Sequence, residues 1–363
     1  VRTLHVATAR TWRGGEQQVL YLLEGLTRRG WNPVLATPGE SPLARRASEA
    51  GVRVVPIDSR GDVDPVAAVR LRRLIGEGFD ILHLHTGHAH ALGLLAVAGL
   101  RPRPAVVVSR RVDFVPRGPL RGLKYGSGVR RFVAVSDGVA RVLREAGVPA
   151  DRVTTVHSGI DPARMAAPRD PEGLRRELAI PMDAKLVGFV GALVSHKAPQ
   201  DLLEALARSA TAVHGVLAGE GNLENALRER AARADLSGRI HFLGHREDVA
   251  RLVRSIDVFC LSSRMEGLGT SVLDAMAAGT PVVAAAGGGI PEMVEDGVSG
   301  LLVPPADPAA LAEAIRRVVD EPGLAGRLVE GGLDRVRQFT ADRMVEGTIA
   351  VYEAIQKGSG PIS

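Results

Sequence analysis

The chain has 363 residues, 45% apolar and 24% charged, enough for about two domains at roughly 100–200 residues each, which excludes a disordered or collagen-like chain. One cysteine excludes a disulfide framework and a cysteine-rich metal site, and it fits a reducing cytoplasmic compartment. Net charge is +5, and 3% aromatic residues supply a nucleic-acid stacking platform poorly, so no nucleic-acid partner is expected.

The first half alternates apolar runs with amphipathic ones. Strands are predicted at Thr3–Thr8, Pro33–Thr37, Val52–Ile57, Asp80–His85, Ala105–Ser109, Arg131–Val135 and Arg152–Val156, with helical patterns such as Glu16–Arg29 and Pro65–Gly76 between them. Strands this apolar, spaced by helices, predict a parallel sheet covered on both faces. Pro162, Pro168, Pro171 and Pro181 then punctuate a polar stretch that reads as a linker. Alternation restarts with strands at Leu186–Val190, Val213–Ala218, Arg239–Leu243, Asp257–Leu261, Pro281–Ala284 and Gly300–Val303. Helices are predicted at Pro199–Ala207, Leu223–Ala234 and Ser271–Ala278, and the end reads as helical over Pro308–Val319 and Leu324–Ile355. No apolar run approaches the ~18–20 residues of a membrane span, and Val1 opening directly onto strand-like sequence gives no expectation of a signal peptide. The expected fold is α/β, with two doubly wound parallel sheets facing a central cleft and the functional residues in loops after the strands.

Charge is shared unevenly. Residues 1–170 hold 26 Lys and Arg against 15 Asp and Glu, the remainder 20 against 26. The excess peaks between Arg101 and Arg131, where Arg110, Arg111, Arg117, Arg121, Lys124 and Arg130 meet one acid, Asp113. Such a stretch attracts anionic membrane or phosphorylated substrates, or it simply decorates a solvated surface.

Several loops after strands suit a phosphate. Arg13-Gly14-Gly15-Glu16 opens the first helix, where glycines let backbone approach an anion, although a strand-to-helix turn asks for the same residues. Gly191 through Lys197 follows the first strand of the second half and places an ammonium at its mouth, and Gly219-Glu220-Gly221 and Gly244-His245-Arg246 follow the next two. The richest segment runs from Ser262 to Val283. There a strand leads into Glu266-Gly267-Leu268-Gly269, and a helix begins near Thr270 and Ser271, either of which can cap it. The helix start favours a phosphate, while Glu266 and Asp274 can accept hydrogen bonds from hydroxyls of one ligand. A diphosphate flanked by polyols describes a nucleotide sugar. His83, His85, His88 and His90 form a second cluster, which reads as acceptor binding, as buried hydrogen bonding or, less readily, as a zinc site.

These motifs resemble the retaining glycosyltransferases of family 4, which have the two-domain GT-B fold. The resemblance covers nearly the whole chain, including Gly14-Gly15, Val135-Ser136, His157 through Asp161, the Gly191 and Glu266 segments, and Gly287-Gly288-Gly289-Ile290-Pro291-Glu292. It implies an acceptor-binding domain over 1–165, a donor-binding domain over 172–340, and a C-terminal helix over 341–363 packing back on the first domain. It also implies roles. Glu266 contacts the donor sugar, and the backbone of Gly267, Leu268 and Gly269 lines it. Thr270, Ser271 and Lys197 meet the diphosphate, with Gly15 and Gly191 close to it. Asp274 takes the ribose, and Gly221 with the backbone near His245 and Arg246 frames the base. Glu266 and Lys197 are the expected catalytic pair.

Two family features are missing. The arginine often found five positions before the lysine is Ala192 here, leaving Arg264, Arg110 or Arg13 to compensate. The histidine often found after the fifth strand is absent, so its role is vacant or falls to Arg110, Arg111 or Asp113. Arg13, His85, His88, Arg110 and Arg111 are the candidate acceptor residues.

The expected reaction moves a hexosyl or N-acetylhexosaminyl group from a UDP- or GDP-sugar to a glycan or glycolipid hydroxyl, with retention and without cofactor or metal. The expected setting is cell-surface polysaccharide or lipopolysaccharide synthesis, in the cytoplasm or peripherally at the inner membrane face, with the anionic membrane surface as a partner. A sugar-nucleotide epimerase on the same fold and a basic, non-enzymatic membrane adaptor are the competing readings.

Overall fold

Runs of β-branched residues such as Val106–Val108 and Val282–Val283 favour extended backbone, and short capping residues start the helices between them. Ser41, Asp64, Thr86 and Ser136 each accept a hydrogen bond from the backbone N–H three residues on, at 3.0–3.2 Å. In the computed structural model, residues 1–61, 64–112 and 121–358 are described. Asp113 and Arg117, two of the charges noted above, lie outside them.

The chain divides into two units, 1–159 with 341–363, and 160–340. The first comprises β1 (Thr3–Val6), α1 (Gly14–Arg28), β2 (Val34–Thr37), α2 (Pro42–Glu49), β3 (Arg53–Pro56), α3 (Pro65–Ile75), β4 (Ile81–Leu84), α4 (Gly87–Val97), β5 (Ala105–Arg110), α5 (Arg121–Tyr125), β6 (Arg131–Ala134), α6 (Asp137–Glu145) and β7 (Val153–Thr155). The second comprises α7 (Pro171–Glu177), β8 (Lys185–Val190), α8 (Pro199–Ala207), β9 (Val213–Ala218), α9 (Glu224–Ala231), β10 (Ile240–Gly244), α10 (Val249–Ser255), β11 (Val258–Leu261), α11 (Thr270–Ala277), β12 (Val282–Ala285), α12 (Ile290–Met293), β13 (Leu301–Val303), α13 (Pro308–Asp320) and α14 (Leu324–Val336). The last helix, α15 (Ala341–Lys357), belongs to the first unit. All thirteen predicted strands are present, with ends shifted by at most two residues.

Both sheets are parallel and doubly wound. Their strand orders are β3-β2-β1-β4-β5-β6-β7 and β10-β9-β8-β11-β12-β13. The order reverses between β1 and β4, and between β8 and β11, which is where open α/β sheets place ligands. In the first unit, α15 lays Met344, Val345, Tyr352 and Ile355 against Tyr21, Leu22 and Leu26 of α1 and against Ile81, Val107 and Val133 of the sheet.

Two sequence expectations change. The proline-punctuated stretch is not a free linker. Met165 and Leu174 are buried in the second unit, and Arg175 pairs with Asp257 at 2.7 Å and donates to the Ala184 carbonyl at 2.8 Å. Pro162 and Pro171 sit at the first positions of short helices, where they fit. The helical run predicted from Leu324 to Ile355 breaks after Val336. Phe339 turns inward and its carbonyl accepts from the Ile160 N–H at 2.9 Å, so α14 and α15 serve different units.

Candidate active site

Four loops meet at the carboxyl ends of β8, β9, β11 and β12 in the second unit. Main-chain bonds hold them together. The Arg264 N–H donates to the His196 carbonyl at 2.9 Å, the Leu193 N–H to the Glu220 carbonyl at 2.9 Å, and the Gly289 N–H to the Glu266 carbonyl at 3.0 Å. Ser262 Oγ donates to the Ala198 carbonyl at 2.8 Å. A side chain at Gly221 would overlap the Leu193 carbonyl, so glycine there allows the two loops to touch.

This frame brings Lys197 and Glu266 together. The Lys197 Nζ donates to Glu266 Oε1, which also accepts from Ser263 Oγ at 3.0 Å. Gly191 lies under the lysine stem, which would meet a Cβ there at 3.3 Å. Helix α11 starts beside them. Its cap is Gly269 in a left-handed conformation (φ +88°), not Thr270 or Ser271 as expected, and no side chain caps it. Thr270 and Ser271 are its first helical residues, so their N–H groups have no acceptor within the helix. Leu268 is buried below the turn.

Asp274 lies one turn along α11 from Thr270 and is half-buried. Burial pushes its carboxyl from 3.8 to about 6, with Arg164 pulling the other way. A carboxyl raised on folding favours folding while protonated. That contribution is fully present below about pH 4 and is lost as pH rises through about 6. Asp274→Asn is therefore expected to raise Tm at pH 7.5 and to leave it unchanged near pH 3.5. Thermal melts at the two pH values check this, and an equal shift at both contradicts it.

Arg264 is not a free cation for a second phosphate. It forms a two-pronged pair with buried Asp201, at 3.0 and 2.8 Å. Arg246 is likewise committed, to Asp248 at 2.7 and 2.8 Å and to Glu177. Any part it plays in framing a base falls to its backbone and to neighbouring His245. Sequence spacing could not show either pairing, because Asp201 and Glu177 lie 63 and 69 residues away.

In the first unit, Arg13, Gly15 and Arg111 come together at the start of α1. The Arg13 N–H donates to Glu16 at 3.1 Å, and the Arg111 side chain passes over Gly15. Arg111 donates to the His85 carbonyl at 3.1 Å, and burial lowers its guanidinium to about 10 against the raising effect of Glu16. His88 lines a cavity of about 200 Å3 with Thr8, Ala9, Thr86 and Gly87 at the switch point between β1 and β4. Arg110 ends β5 one residue earlier than Arg111.

His85 is placed differently from a surface acceptor ligand. It is buried, and its Nε2 lies 3.0 Å from Nδ1 of His5, a histidine that sequence reading did not single out. His83 bridges the Tyr352 hydroxyl and Ser109 Oγ, at 2.5 and 2.8 Å, and His5 reaches Thr3 at 3.1 Å. Nitrogens of His5, His83 and His85 lie within 4.8 Å of one another. Both nitrogens of His5 and His83 are already engaged; burial holds the rings neutral, with His5 near 3, and the Arg111 charge adds to this at His83 and His85. The arrangement suits a neutral hydrogen-bond chain better than a cation.

Two parallel, doubly wound units are the architecture of the GT-B glycosyltransferases. Residues 170–335 match the family described as glycosyl transferases group 1, and residues 12–164 match glycosyltransferase family 4. The chain is 31% identical over 366 residues to D-inositol 3-phosphate glycosyltransferase 1 of Catenulispora acidiphila, covering 90% of this chain and 86% of that one. It is 34% identical over 222 residues to D-inositol 3-phosphate glycosyltransferase of Stackebrandtia nassauensis, covering 57% of this chain and half of that relative. Anabaena Alr3699/HepE, solved in complex with UDP-glucose, superposes with a TM-score of 0.87 at 20% identity, over 97% of this chain and 99% of that one. The chain belongs to glycosyltransferase family 4.

Proposed function

We propose that the protein transfers a hexosyl or N-acetylhexosaminyl group from a nucleoside-diphosphate sugar, with retention, to a hydroxyl of a phosphorylated cyclitol or a related anionic acceptor. The observation that carries this reading is the Lys197–Glu266 pair beside the uncapped start of α11. UDP is the favoured carrier, supported by the UDP-glucose in HepE, and a phosphorylated acceptor is supported by the names of the relatives.

The donor's diphosphate would draw Lys197 away from Glu266 and take the Thr270 and Ser271 amides. This frees the Glu266 carboxylate for sugar hydroxyls, while Asp274 accepts from the ribose. The bond between the anomeric carbon and the diphosphate oxygen breaks, and the acceptor oxygen bonds to that carbon on the same face. The acceptor's proton passes to the departing phosphate oxygen. Lys197 and the α11 dipole stabilise the charge that develops there, in the place a metal would otherwise take. Arg13, Arg110 and Arg111 supply positive charge for an anionic acceptor.

Residues 1–165 would bind the acceptor and 172–340 the donor, with the segment from 341 packing on the first. The basic excess supports peripheral contact with an anionic membrane in the cytoplasm, and together with the family resemblance it supports a place in cell-surface glycan synthesis. Among the described residues no helix is long and apolar enough to cross a membrane.

Incubation of UDP-glucose and UDP-N-acetylglucosamine with inositol 3-phosphate, followed by proton NMR of the anomeric centre, tests the reaction. The expected product keeps the donor's α configuration. A β product overturns retention, and transfer only to uncharged acceptors overturns the acceptor class.

A further inference from the structure

A cavity of about 510 Å3 opens at the amino-terminal edge of the second sheet, at the other end of β11 and β12 from the Lys197 and Glu266 loops. Its size lies within the roughly 300–1,000 Å3 of small-molecule sites. Two guanidinium groups line it. Arg254 has its Nε buried without a hydrogen-bond partner, and its Nη1 has only a long 3.5 Å contact to the Met165 carbonyl. Arg169 is exposed and has no hydrogen bond or ion pair among the described residues.

The one acid on the wall, Asp257, has its charge paired with Arg175 through Oδ2 at 2.7 Å, and the same oxygen accepts from the Leu186 N–H at 2.8 Å. The uncompensated charge of the cavity is therefore positive. Ala325 and Gly326 add the first turn of α14, whose cap residue Gly323 (φ +76°) supplies no side-chain hydrogen bond. Its first N–H groups have no acceptor in the helix. Val329 and Leu333 form an apolar side.

The Arg254 and Arg169 guanidinium groups on the wall and the first-turn amides of Ala325 and Gly326 can each donate to acceptor oxygens, and the apolar side suits a carbon skeleton. We propose that this cavity is a second ligand site, which takes a small phosphate monoester through Arg254, Arg169 and the start of α14. The site is independent of the donor reading, since none of its residues takes part there.

Isothermal titration of glucose 6-phosphate and of inorganic phosphate into Lys197→Ala protein tests this with the donor site disabled. Saturable binding is expected, tighter for glucose 6-phosphate. Arg169→Gln, at an exposed position, is expected to weaken it about tenfold. Gly326→Asp is expected to abolish it. A Cβ at Gly326 has no atom within 4 Å, and an acid in a first helical turn favours the helix, so Tm without ligand is expected to hold. No saturable heat, or binding indifferent to both substitutions, overturns the site. Equal affinity for the two ligands overturns the monoester assignment.

Discussion

Lys197→Ala is expected to lower kcat/KM by roughly 10²–10³-fold, the usual cost of losing one group that meets charge developing on a leaving oxygen. The fold is expected to survive. The lysine side chain is 19% exposed, its stem passes over Gly191, and its loop stays tied by the main-chain bonds at Leu193 and His196. Losing it leaves Glu266, 11% exposed, with Ser263 as its remaining partner. That uncompensated carboxylate costs about 1–3 kcal/mol of stability. Combining Lys197→Ala with Glu266→Gln removes the stranded charge. Thermal melts and steady-state kinetics on both proteins check the reading. Stability is expected to recover in the double variant and activity is not. If activity returns with stability, the pair only holds the loops together.

Gly288→Ala is expected to have a large structural effect in the donor-side loops. Gly288 has φ +59°, and an added Cβ would overlap the carbonyl oxygen of Glu266. The clash is with main chain, so no rotamer relieves it. Either Glu266 moves, or the bond from the Gly289 N–H to its carbonyl breaks. A loss of about 2–4 kcal/mol is expected from strain and overlap together, with activity falling at least tenfold. Gly297→Ala is the control. It has φ +74° with nothing within 4 Å of a Cβ, so it isolates the backbone term of about 1–2 kcal/mol. Equal effects at the two glycines contradict a contact that positions Glu266.

Periodicity made the sheets legible because the strands are short, mostly apolar runs separated by helices, as at Val213–Ala218. Glycine placement also made the donor-side loops legible, because only glycine tolerates the crossings at Gly221 and Gly288. Pairings between distant residues were not legible. The Asp201 partner of Arg264 sits on α8, whose sequence gives no sign that its acid faces β11. His5 joined His83 and His85 only because β1 lies beside β4, a neighbour relation set by topology. The proline-rich stretch misled because proline marks a helix start as readily as a linker.

The most direct measurement compares UDP with uridine by isothermal titration into wild type and into the Lys197→Ala, Glu266→Gln double variant. UDP affinity is expected to fall at least tenfold in the variant while uridine affinity stays the same, because the lysine and the start of α11 hold only the phosphates. Unchanged UDP affinity would mean that the diphosphate binds elsewhere, and with it the assignment of this site would fail.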